Sequence, residues 1–187
     1  MINKIDISED RRKELEQLSS QVLFNNDMYK IPVNIIEIAK NCGITVYNAD
    51  FEKLGNKNVS GAIRYINNEF SILLNKKEPR ERRRFTLAHE LGHFFLDNEI
   101  LKSSRIHVDT LYRSSAESSY VAKAFEQDSE IKLTSEIEID YFAGALLMNE
   151  MILRKIFQIE SSISKLAKIF DVSYSAMTVR LDLLGLI

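Results

Sequence analysis

The chain has 187 residues, of which 45% are hydrophobic and 28% charged, so wholesale disorder is excluded and one domain, or one domain with a small appendage, is expected. Lysine and arginine total 25 against 27 acids, for a net charge of -2, which removes any global field toward nucleic acid or membrane. Cys42 is the only cysteine, excluding a disulfide framework and a Cys-rich zinc finger. The charged start lacks an apolar signal core, and about 18 consecutive apolar residues occur nowhere, so a cytoplasmic protein without membrane association is expected.

Ser8, followed by Glu9 and Asp10, reads as a helix cap with acids at the positive dipole end. Leu15, Leu18, Val22 and Leu23 then mark one face. Pro32 is expected to open a second helix ended by Gly43, with a short strand over 44–47 following. The run from Gly61 to Asn75 predicts two strands about Asn67-Asn68, because asparagine tolerates the positive φ of a tight hairpin. A helix is expected from about 80 to 96, and irregular structure from Asp97 to Lys132. A further helix is expected over 135–157, and two short helices on either side of Asp171-Val172-Ser173. The pattern is α+β, mainly helical, with a small antiparallel sheet. It divides into a main unit of residues 1–160 and a helical C-terminal extension over 161–187, expected to pack on that unit.

Chemistry concentrates in Phe85-Thr86-Leu87-Ala88-His89-Glu90-Leu91-Gly92-His93. Histidines four apart on a helix are displaced by only about 40° around its axis, so both imidazoles can reach one cation. Glu90 projects about 100° from His89, suited to a metal-bound water rather than the metal. Gly92 costs roughly 1 kcal/mol relative to alanine within a helix, which room for a neighbouring backbone would offset. Catalytic zinc needs a third protein ligand and an open position. Cys42 ends a helix, and His107 lies in the irregular stretch. Glu99 and Leu96 stand where a metzincin needs histidine and glycine, which excludes that subclass. A carboxylate from the 135–157 helix remains. Its apolar face is Ile139, Phe142, Ala143, Leu146 and Leu147. Glu136 is chosen as ligand with Glu138 as the alternative, and Asp140, four residues after Glu136, as hydrogen-bond acceptor for a ligand imidazole. The expected cofactor is Zn2+.

Together, Arg83 to His93 and Glu136-x-Glu138-x-Asp140-x-Phe142-Ala143, followed by Leu146-Leu147-Met148, resemble the ImmA/IrrE family of metallopeptidases. Two positions depart from the family pattern: Ile139, where alanine is usual, and Asn149, where proline is common. The resemblance implies a zincin-like fold and a zinc metallo-endopeptidase with His89, His93 and Glu136 on the metal and Glu90 as catalytic base. It also implies a protein substrate, a helix-turn-helix repressor controlling mobile elements or stress genes.

Two features compete with that reading. Lys76, Lys77, Arg80, Arg82, Arg83 and Arg84 form a cationic run, read as a solvated helical face because no aromatic residues interleave it for stacking. Residues 164–181 resemble a helix-turn-helix, making a DNA-binding regulator the runner-up. With Lys165, Lys168 and Arg180 against Asp171 and Asp182, however, 161–187 carries too little positive charge to grip phosphates. A zinc-stabilised interaction module without hydrolysis is the third reading.

Overall fold

A computed structural model describes residues 7–53, 59–103 and 134–187. Helix α1 (Glu9–Asn25) starts where expected, with the Ser8 side chain accepting from the Arg11 amide at 3.3 Å, and it buries Leu15, Val22 and Leu23. Helix α2 (Ile35–Asn41) begins later than Pro32 suggests, because Asn34 rather than the proline provides its cap. Strand β1 (Thr45–Ala49) follows. Strands β2 (Gly61–Ile66) and β3 (Glu69–Asn75) form the anticipated hairpin. Asn67 and Asn68 sit at φ 53° and 65°, the left-handed pair that lets a two-residue turn follow the twist of its strands.

The sheet order is β1-β3-β2. The β2–β3 pair is antiparallel, but β1 joins β3 in parallel, with Val46 beside Ile72, so the sheet is mixed. Only the hairpin half of this arrangement is local in sequence; the remote pairing of β1 leaves no turn signature.

Helix α3 (Arg80–Leu96) follows, then α4 (Asn98–Ser103) within the stretch expected to be irregular. His107 lies outside the described residues. The helix expected over 135–157 is two helices, α5 (Glu136–Leu147) and α6 (Glu150–Phe157). Met148 leaves helical geometry and Asn149 caps α6, while its amide nitrogen reaches the Ser20 hydroxyl at 3.0 Å. Apolar periodicity runs through this break because both helices face the same core. Helices α7 (Ile163–Phe170) and α8 (Tyr174–Leu183) flank Asp171-Val172-Ser173 as expected, with Ser173 capping α8.

The α3 helix lies between the sheet and α5, while α1 covers another side of α5. Ile139, Phe142, Ala143, Leu146 and Leu147 are all fully buried, and they share one core with Leu87, Leu91, Ile63 and Ile72 or pack directly beside it. A Cβ on Gly92 would lie 2.9 Å from Ile139 Cγ2 and 3.3 Å from Phe142 Cδ1. The glycine therefore sets how closely α3 and α5 approach. Gly92→Ala gains about 1 kcal/mol of helix propensity but must push two fully buried side chains aside, at a cost of ~1–3 kcal/mol. Urea unfolding is expected to show net destabilisation.

Candidate metal centre

The middle of α3 is buried all round: Thr86 through His93 are all buried, with the sheet and α5 packed against the helix. Burial of two imidazoles and a carboxylate in such surroundings requires polar partners, and α5 supplies most of them. Glu136 Oε2 stands 3.2 Å from His89 Nε2 and 3.8 Å from His93 Nε2. The ring centroids of the two histidines are 5.0 Å apart. One donor atom from each of His89, His93 and Glu136 falls within 4.8 Å of the others, a group that could hold a metal ion. The chemistry of the donors suits it, since two imidazole nitrogens and a carboxylate oxygen form a catalytic zinc set that leaves a position open. His93 Nε2 is buried with no hydrogen-bond partner among the described residues, as expected of an atom reserved for a cation.

The outer nitrogens of both rings are held. His89 Nδ1 lies 3.0 Å from Asp140 Oδ1, so Asp140 occupies the place chosen from its spacing. His93 Nδ1 lies 3.2 Å from Asp97 Oδ2. Asp97 was not among the sequence candidates, although an acid four residues beyond His93 on the same helix face was the available signal. Glu138, the alternative ligand, is turned away. Its carboxylate accepts from the Ser135 amide at 3.1 Å in a capping box and from Arg11 Nε at 2.7 Å.

Burial opposes charge on His89, yet hydrogen bonding to Asp140 and Glu136 and the nearby Glu90 prevail, and its pKa rises to about 9. Glu90 is wholly buried, and desolvation drives its pKa up to about 7 against the pull of both imidazoles. Neither of its oxygens makes a well-formed hydrogen bond among the described residues. The carboxyl faces β2, where a Cβ on Gly61 would come within 3.4 Å of Oε1.

Lys76, Lys77 and Arg80 of the cationic run are exposed, as a solvated face requires, yet most of the run also finds partners within the molecule. Arg80 reaches Asp171 Oδ2 at 2.8 Å, while Arg84 holds the Asp171 carbonyl and the Val33 carbonyl, each at 3.0 Å. Arg83 bonds Asn48, and Lys77 pairs with Glu52. In the helix-turn-helix-like segment, Arg180 is buried and points inward. It makes a bidentate pair with Glu16 at 2.6 and 2.9 Å and donates to the Met148 carbonyl at 3.1 Å.

This arrangement defines a mainly helical α+β domain with a candidate metal site between α3 and α5. The Peptidase_M78 family model, described as IrrE N-terminal-like domain, matches residues 39–182, and the chain belongs to that family. A solved structure described as a Mycobacterium tuberculosis transcriptional regulator shares the fold, with a TM-score of 0.55 and 17% identity over 92% of this chain and 48% of that one. The present chain therefore spans about half the length of that protein. No curated protein matches the sequence. No helix among the described residues is long and apolar enough to cross a membrane.

Two outcomes follow for the metal-free protein. A carboxyl whose folded pKa lies above its unfolded value contributes stability below the unfolded value, near 4.5, and loses it as pH rises through about 7. Glu90→Gln is therefore expected to stabilise the metal-free protein at pH 8 by on the order of 2 kcal/mol, and to change little at pH 4.5, in urea titrations. Arg180→Ala strands Glu16 in a mostly buried position and should cost about 3–5 kcal/mol by the same measurement.

Proposed function

We propose that this protein is a zinc-dependent endopeptidase of the ImmA/IrrE type. Its substrate is a helix-turn-helix transcriptional repressor of mobile-element or stress genes, met in the cytoplasm. The observation that carries the reading is the convergence of His89, His93 and Glu136 beside a buried Glu90. Family membership adds the expectation of a protein substrate.

In this reading His89, His93 and Glu136 hold the ion, and Asp140 orients His89 through its outer nitrogen. Bound there, zinc would supply Lewis acidity and bring the pKa of water toward neutrality. Glu90 takes the proton from the attacking water and returns it to the leaving nitrogen. Desolvation helps by lifting the basicity of its carboxylate toward the working pH, so that both transfers are feasible. The water-poor surroundings of α3 and β2 keep that carboxylate from being screened. Residues 1–160 form the catalytic unit in this proposal, with 161–187 docked on it as a cap. The inward-facing Arg180 supports the cap and weighs against direct DNA contact by α8.

Metal content and cleavage of a helix-turn-helix regulator encoded beside the gene test the reading together. Glu90→Gln should retain zinc while cleaving at least 10²-fold more slowly. Cleavage at the wild-type rate by a zinc-loaded Glu90→Gln protein removes Glu90 from the chemistry. A biological effect that survives the substitution points to a non-catalytic, zinc-stabilised interaction module.

A further inference from the structure

We infer that Asp97 is a positioning residue that sets the tautomer of His93 and ties that histidine to the start of the helix carrying Glu136. The inference rests on the reading of His93 as a metal ligand. Asp97 closes α3, with its amide donating to the His93 carbonyl at 2.8 Å. Its side chain is almost fully buried, at 1% exposure. Both oxygens are engaged in different directions. Oδ2 faces His93 Nδ1 at 3.2 Å, and Oδ1 accepts from the Thr134 amide at 2.9 Å.

Thr134 lies two residues before Glu136, and 37 positions separate it from Asp97. One carboxylate therefore spans the two chain segments that bring the donors together, reaching a ring from α3 and the backbone entering α5.

The directions of these bonds decide what Asp97 can do. A carboxylate has no hydrogen to offer, so the bond to His93 requires the proton on Nδ1, which leaves Nε2 with its lone pair toward Glu136 and His89. The partner on the outer nitrogen thus selects the form of the ring able to ligate. Asparagine reverses this selection without removing either contact. Its single oxygen keeps the Thr134 amide, and its NH2 group donates to His93 Nδ1, which drives the ring proton to Nε2. The opposite orientation of the amide would set two donors against each other at Thr134 in a buried place. A purely structural role survives in Asp97→Asn, because two hydrogen bonds remain. A tautomer-setting role does not.

The test compares zinc affinity, by competition with a chromophoric chelator, in wild type and Asp97→Asn, alongside thermal unfolding of both metal-free proteins. The expected result is an unchanged unfolding midpoint with affinity lowered roughly 10–100-fold. Wild-type affinity in a folded Asp97→Asn protein overturns the inference. Nitrogen-15 spectra of the histidine rings in the wild type provide a measurement independent of the variant's folding. A His93 proton on Nδ1 supports the assignment, and one on Nε2 overturns it. If the wild type takes up no zinc, the metallopeptidase reading fails on that count alone, while spectra of the metal-free protein still report the tautomer.

Discussion

The close packing of α3 against α5 is the constraint on which the rest of the molecule depends. His89 and His93 come from one helical turn, but Glu136 and Asp140 stand more than forty positions later and reach the imidazoles only because the two helix axes lie near each other. A glycine at position 92 permits that approach, and Ile139 and Phe142 fill the space directly over it. Apolar contact thus fixes the spacing of polar donors. A core in which every neighbouring layer is tightly filled transmits small displacements rather than absorbing them. The precision of the polar group is borrowed from hydrocarbon.

The polar residues of the site form a graded series. Glu90 is wholly buried and faces the sheet, Asp97 is nearly as deep, and Asp140 and Glu136 are progressively more accessible. Each imidazole meets carboxylates on both of its nitrogens. That arrangement is costly in an apolar helix pair unless the groups neutralise one another or a cation. The interior here is therefore organised by charge compensation as much as by hydrophobic burial.

Much of this was legible in the order of residues. The four-residue spacing of the histidines, the apolar stripe of α5, the Asn67-Asn68 turn and the serine caps each express a local rule, and each lies where that rule puts it. The choice of Glu136 over Glu138 followed from angular position relative to the buried stripe, and the capping box at Ser135 explains why Glu138 was bound elsewhere. Three features were hidden because their causes are remote. The parallel pairing of β1 depends on a crossover, and the division at Met148 is masked by a core shared between α5 and α6. The inward role of Arg180 depends on Glu16, 164 positions away, and no local pattern announces it. The cationic run keeps the solvent exposure expected of it at Lys76, Lys77 and Arg80, and only its partners Asp171, Asn48 and Glu52 were hidden, since they lie far from it in sequence.

The Glu16–Arg180 pair has a consequence for how the protein can be divided. It clasps the first helix to the last, with Met148 as a third point of attachment between them. Removing either helix unfastens the other: a shortened product ending after residue 160 would leave the α1 carboxylate facing the vacated seat of the guanidinium. Helices α1 and α8 behave in this respect as a single closure, and experiments that remove one of them should be interpreted as disturbing both.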